Sequence, residues 1–277
     1  MPKFKCVLNL FSISYKYHFE SLEAWAERLL ERHCTSCVDE NGKHPVLDSP
    51  FISEADLELM LCLAIQTNFN SLLEAAENAL TRRLKEDLIY RSITHKMELA
   101  EELGLRRFQS RLYYHELLRQ EAVSKTILAS TAYSIQTSDL TEKQYLTLFR
   151  GYWSLTHYWR DLPPIVRNKR LPPLTSCTAS GHGICQAEWN KVWNEDKFKQ
   201  KVDRSPHDFG PLEKLENIRS SSILSLTFSF EFFRLLTGSS KNSQWQTMQL
   251  ACGVSEINLI IKQLQDTLGD HFLGSQA

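Results

Sequence analysis

No charge of one sign dominates this chain. Lys and Arg number 32 against 33 Asp and Glu, so no bulk field steers it onto phosphate backbones or anionic lipid. Nucleic acid and membrane surfaces are therefore disfavoured as partners. Long apolar runs are missing too: residues 223–236, the most apolar stretch, contain Glu231 and Arg234 and fall short of the roughly 20 residues a membrane-spanning helix needs. Residues 1–9 place Pro2, Lys3 and Lys5 ahead of a short apolar run, too little for a secretion signal. Glycine and proline are scarce, at ten and nine residues, which excludes collagen-like and low-complexity classes. The seven cysteines are odd in number and dispersed, unlike a disulfide framework, and fit a reducing cytoplasm or nucleus.

Catalytic signatures are lacking as well. The chain has no G-x-S-x-G elbow, no phosphate loop, no dinucleotide fingerprint and no H-E-x-x-H helix. Glu101 and Glu102 are adjacent, and adjacent helix positions point to different faces, so they read as a solvated surface rather than an acid/base pair. His182 and Cys185 could form a base and nucleophile, but no third group is in place to orient them. A non-enzymatic protein is expected.

What the chain does carry is a quasi-repeat, visible when Phe19, Phe69 and Leu105 are aligned as one position. Five residues earlier stand Ser14, Ala64 and Ala100. Three residues later come Leu22, Leu72 and Phe108, and seven later Ala26, Ala76 and Leu112. Each unit reads as a helix, a tight turn and a second helix with an apolar stripe, and Ser21 and Ser71 stand where N-caps would. One hairpin cannot cover its own stripe, so neighbours must stack. A Pro- and Gly-containing loop after Cys34 makes the spacing unequal, which predicts an all-α, irregular stack of helical hairpins, with a partner-binding groove between them.

Residues 140–160 predict another helix, capped by Ser138 or Thr141, with aromatics dense enough to imply burial on more than one side. Residues 161–173 then break regular structure through Pro163, Pro164, Pro172 and Pro173, and a boundary is placed there. A helical-hairpin region over 50–160 and a smaller C-terminal helical region over 174–277 follow. The latter holds predicted helices at 186–202, 208–220 and 255–272, and one segment, 224–230, that alternates with a strand period.

Cys177, His182 and Cys185, with His207 downstream as a fourth ligand, form a candidate zinc cluster, because thiolate and imidazole suit that ion's tetrahedral site. The plainer reading is small packing cysteines beside Trp189 and Trp193. His33, Cys34, Cys37 and His44 form a second candidate, whose plainer reading is a loop with free thiols. No other cofactor is expected. Arg82, Arg83, Lys85, Arg106, Arg107, Arg111 and Arg119 are interleaved with acidic residues, which favours a mixed-charge surface over a nucleic-acid patch. Tyr113, Tyr114, Trp153 and Trp159 read as core, and any exposed subset would serve as a partner-binding anchor.

Several segments together resemble a known family. Val7-Leu8-Asn9-Leu10 through Trp25-Ala26, Leu103-Gly104-Leu105 through Leu117-Leu118, Gly151-Tyr152-Trp153-Ser154-Leu155, and Cys177, His182, Cys185, Trp189 and Trp193 are similar to the BTB/POZ-domain proteins of mushroom-forming fungi. The resemblance implies that residues 1–35 correspond to the last helices of a BTB/POZ core, most of which is missing, and that the following helices are BACK-like. It also implies an adaptor or scaffold that self-associates or recruits proteins such as a cullin-type ubiquitin ligase scaffold. The alternative from another class is a zinc-stabilised nuclear regulatory protein using the Cys177, His182, Cys185 segment.

Overall fold

The computed structural model describes residues 3–35, 44–86, 93–129, 140–175, 177, 179–194, 210–220, 225–229, 245–249 and 251–275. Its first helices come in pairs: α1 (Phe4–Tyr17) with α2 (Glu20–Cys34), α3 (Glu54–Thr67) with α4 (Asn70–Glu86), and α5 (Thr94–Glu102) with α6 (Arg106–Ala129). The chain divides into two units, Met1–His115 and Glu116–Ala277, and the division falls within α6.

One backbone device makes all three pairs. The residue that ends the first helix is left-handed: His18 at φ 58°, Asn68 at φ 55° and Gly104 at φ 67°. The next residue's N–H then donates to the carbonyl five residues back: Phe19 to Ser14, Phe69 to Ala64 and Leu105 to Ala100, each at 2.9 Å. This is the Schellman ending, which satisfies carbonyls a helix terminus would otherwise leave bare. The same residue opens the second helix, its carbonyl accepting from Glu23, Leu73 or Gln109 at 2.9, 3.1 and 2.8 Å. Ser21 and Ser71, expected as N-caps, therefore sit one residue inside their helices, because the residue after the left-handed turn already fills that place.

The apolar code follows from this corner. Ser14, Ala64 and Ala100 are buried under the second helix, as are Leu72 and Phe108, and Ala26, Ala76 and Leu112 one turn further on. Phe69 and Leu105 are covered, with Phe69 meeting the edge of Phe11 from the first pair at 6.2 Å between centroids. Phe19, in the first pair, is 55% exposed beside Tyr17.

Polar contacts join like helices of successive pairs. Lys5 of α1 and Lys96 of α5 reach Asp56 and Glu54 in the first turn of α3, at 2.9 and 2.8 Å, and Arg111 of α6 donates to Asn78 of α4 at 3.1 Å. Asp56 also closes a capping box, accepting from the Ser53 amide at 2.9 Å and hydroxyl at 2.7 Å. Burial alone would raise its pKa, but the bonds from Ser53 and the Lys5 charge outweigh burial and leave it below 3.8. Arg82 and Arg83 of α4 hold the loop before α3, through Asp48 at 2.9 Å and the Leu47 and Ile52 carbonyls at 2.9 and 2.6 Å. These two arginines of the basic concentration therefore bind the protein's own loop.

In the second unit, α7 (Glu142–Arg167) opens with a capping box between Thr141 and Gln144 and packs on α8 (Ala179–Asn194) and α10 (Ala251–Leu273), the last also touching α9 (Pro211–Ser220). The helix does not break at Asp161. Pro163 and Pro164 lie inside it, and its last turn is held from outside, by burial of Leu162 and Val166 and by Trp189 Nε1 donating to the Val166 carbonyl at 3.1 Å. Gly151 is buried where any Cβ would enter the Phe272 ring of α10, and one turn on Ser154 Oγ meets His271 Nδ1 at 2.8 Å. The period-2 segment becomes β1 (Ser225–Ser229), paired antiparallel with β2 (Trp245–Gln249), Thr227 opposite Thr247. Helices otherwise carry the fold, as the all-α expectation requires. No described helix is long and apolar enough to cross a membrane.

Three outcomes are expected in urea unfolding. Gly104→Ala should lose about 1–2 kcal/mol, because nothing crowds the added methyl and the cost is the left-handed backbone alone. Gly151→Ala should lose about 1–3 kcal/mol from overpacking, part of it recovered by a second change, Phe272→Leu. Asp56→Asn should cost about 1 kcal/mol at neutral pH. Since the folded pKa lies below the unfolded 3.8, that difference should be intact above pH 3.8 and disappear as pH falls through the folded value.

Candidate metal centre

Four side chains of the second unit converge where α8 and α10 begin. Cys177 sits in a turn ahead of α8, its amide donating to the Leu174 carbonyl at 2.9 Å. His182 and Cys185 follow three residues apart, a spacing that puts both on one face of α8, and Trp189 and Trp193 continue that buried face. The face is anchored on the end of α7 by the Trp189 indole, and on the segment after that helix by Gln186, whose Oε1 accepts from the Leu171 amide at 2.7 Å. Cys252, fully buried, lies in the first turn of α10.

The ligand atoms of Cys177, His182 and Cys252 all lie within 4.8 Å of one another, a group that could hold a metal ion. Cys185 is buried one turn along α8 from His182 and is not part of that 4.8 Å group. All three cysteines are free thiols. Burial pushes the Cys185 thiol up to about 12, with the two neighbouring thiols adding to the rise, and burial raises Cys177 in the same sense. A thiol held neutral in this way is a poor nucleophile, which counts against a His182–Cys185 catalytic pair. The Nδ1 atom of His182 is buried and makes no hydrogen bond, an arrangement that costs about 1–3 kcal/mol unless something binds it.

Of the expected zinc cluster, the structure brings Cys177 and His182 together, with Cys252, and buries Cys185 one turn further along α8. His207 lies outside the described residues. Cys252 was missed: it is distant in sequence, and no local spacing links it to the other three. The second candidate set is used differently. His33 packs edge-on against the Phe4 ring at 5.5 Å, and burial, then the nearby His44 and the amino terminus, lower its pKa. His44 Nδ1 accepts from the Val46 and Leu47 amides at 3.3 and 3.2 Å and so shapes a turn. Burial, with Glu31 nearby, pushes the Cys34 thiol up to about 12, and Cys37 lies outside the described residues. Among the described residues, only the cluster at α8 and α10 assembles three such ligands.

A second feature of this unit departs from expectation. Tyr113 and Tyr114, in the first unit, are buried, but Trp153 of the second is not: Leu146, Phe149 and Trp153 of α7 are 66%, 68% and 60% exposed, and Tyr145 and Tyr152 are exposed beside them. Phe149 and Tyr152 stack with centroids 6.4 Å apart, and Trp153 covers His157 at 4.4 Å. The helix buries one face only, through Leu148, Gly151, Leu155 and Leu162, and leaves its aromatic face outward.

Comparison with protein-family models, with curated proteins and with solved structures found no match, so none of the three supports the BTB/POZ resemblance.

Alkylation should separate the thiols. With brief iodoacetamide treatment of metal-free protein near neutral pH, mapped by peptide mass, exposed Cys6 should be modified well before Cys185. Raising the pH should narrow the gap, and equal labelling at neutral pH would show that the cluster is open.

Proposed function

We propose that this protein is a non-enzymatic interaction module of adaptor or scaffold kind, and that it engages another protein through the outward aromatic face of α7. The observation that supports this is the run of Leu146, Phe149 and Trp153, large apolar side chains left mostly in water at helical spacing on a helix whose other face is buried. Aromatic side chains concentrated in one patch are the usual anchors of protein interfaces, because each buries a large area at little cost in side-chain freedom. The near-balanced charge and the lack of catalytic motifs support the same reading.

The zinc-stabilised regulatory alternative is favoured in its metal half by the Cys177, His182, Cys252 group, whose sulfur and nitrogen donors suit zinc. The balanced charge gives its nucleic-acid half no support.

A photo-crosslinking residue placed at Phe149 should yield a discrete protein adduct in cells, and one placed at exposed Glu142, at the start of the same helix, should yield far less. The adduct should vanish when Trp153→Glu is added, while the helical circular dichroism stays unchanged. Equal labelling from both positions, or none from Phe149, would remove the docking reading. An adduct of twice the chain's mass would identify self-association.

A further inference from the structure

We infer that Cys177, His182, Cys185 and Cys252 make a closed, four-ligand structural zinc site that fastens the start of α8 to the start of α10. This rests on the metal half of the alternative above and goes further by fixing the ligand set and the class of site.

The geometry is close to what the ion needs. Tetrahedral zinc with Zn–S near 2.3 Å and Zn–N near 2.0–2.1 Å sets neighbouring ligand atoms roughly 3.5–3.8 Å apart. Three of the four donors already lie within 4.8 Å of one another, which leaves little more than an ångström to close. The fourth, Cys185, lies outside that 4.8 Å group but is buried one turn along α8 from His182, on the same face, where it would fill the corner an open site leaves to water. Four protein ligands leave no position for a substrate, which makes the site structural rather than hydrolytic.

His182 supplies an independent sign. Its Nδ1 is buried with no hydrogen-bond partner, in a group that otherwise offers only thiols, and a metal is what such an orphaned nitrogen lacks. The charge balances as well. Zinc with three thiolates and a neutral imidazole releases three protons and carries one net negative charge, placed at the first turn of α10, the positive end of that helix. The two elements so joined are the ones on which α7 packs, so the metal holds the underside of the helix that bears the aromatic face.

The test uses the full chain, purified under reducing conditions with zinc present. Elemental analysis should give about one zinc per folded chain, and Cys177→Ala, His182→Ala, Cys185→Ala and Cys252→Ala should each lower zinc affinity by more than the roughly 10–100-fold seen for outer-sphere changes. Cys62→Ala, on α3, should leave it unchanged. Because a ligand variant could simply fail to fold, cobalt is also exchanged into the unmodified protein. Intense tetrahedral ligand-field bands with charge transfer from three thiolates are expected. A weak five- or six-coordinate spectrum overturns the closed site. Wild-type affinity in Cys185→Ala overturns it too, yet leaves the metal reading standing. Folded protein without zinc, whose melting a chelator does not shift, overturns both.

Discussion

The left-handed corner, closed by an amide bonded to the carbonyl five residues before it, is the constraint on which the first unit depends. Helices end by leaving carbonyls unsatisfied, and a chain that reverses there must satisfy them within two or three residues. At Phe19, Phe69 and Leu105 one bond does this while turning the chain back on itself, and the residue that donates it also starts the next helix. Everything else in the repeat follows. The residue five positions back lies under the returning helix and must be small, as Ser14, Ala64 and Ala100 are, and the stripe beyond must pack on the next pair. Lys5 and Lys96, coming from both sides onto the acidic first turn of α3, add register to that packing.

The second unit is organised around α7 instead. Gly151 lets Phe272 lie against the helix backbone, and the end of the helix survives two consecutive prolines because Val166 is buried and its carbonyl is bonded by Trp189. Trp189 in turn belongs to the α8 face that carries His182 and Cys185. Packing, the sulfur cluster and the outward aromatic face are thus consequences of one arrangement of α7, α8 and α10, and the proposed docking and zinc readings both draw on it.

Much of this was legible in the sequence, for reasons that can be named. Aligning Phe19, Phe69 and Leu105 worked because the corner imposes side-chain size at fixed offsets, so a backbone motif is written into composition. Strict alternation around Ser225–Ser229 worked because a strand's period cannot be imitated by a helix over that length. Cys177, His182 and Cys185 were legible because their separation is short. What stayed hidden is what tertiary contacts decide. Prolines at 163 and 164 read as a break, since nothing local reveals the indole that holds the turn. Trp153 read as core, since composition does not say which helix face finds a neighbour. Cys252 could not be tied to its partners, because they meet only when α10 is brought back against α8.

The corner itself is tested most directly by amide hydrogen exchange on the full chain, followed residue by residue by NMR. The Phe19, Phe69 and Leu105 amides should be protected to the level of the helices that precede them, Phe19 included although its side chain is exposed. Exchange of any one of the three at the rate of an unstructured peptide, while α1, α3 and α5 stay protected, would contradict the shared corner and the stacked repeat built from it.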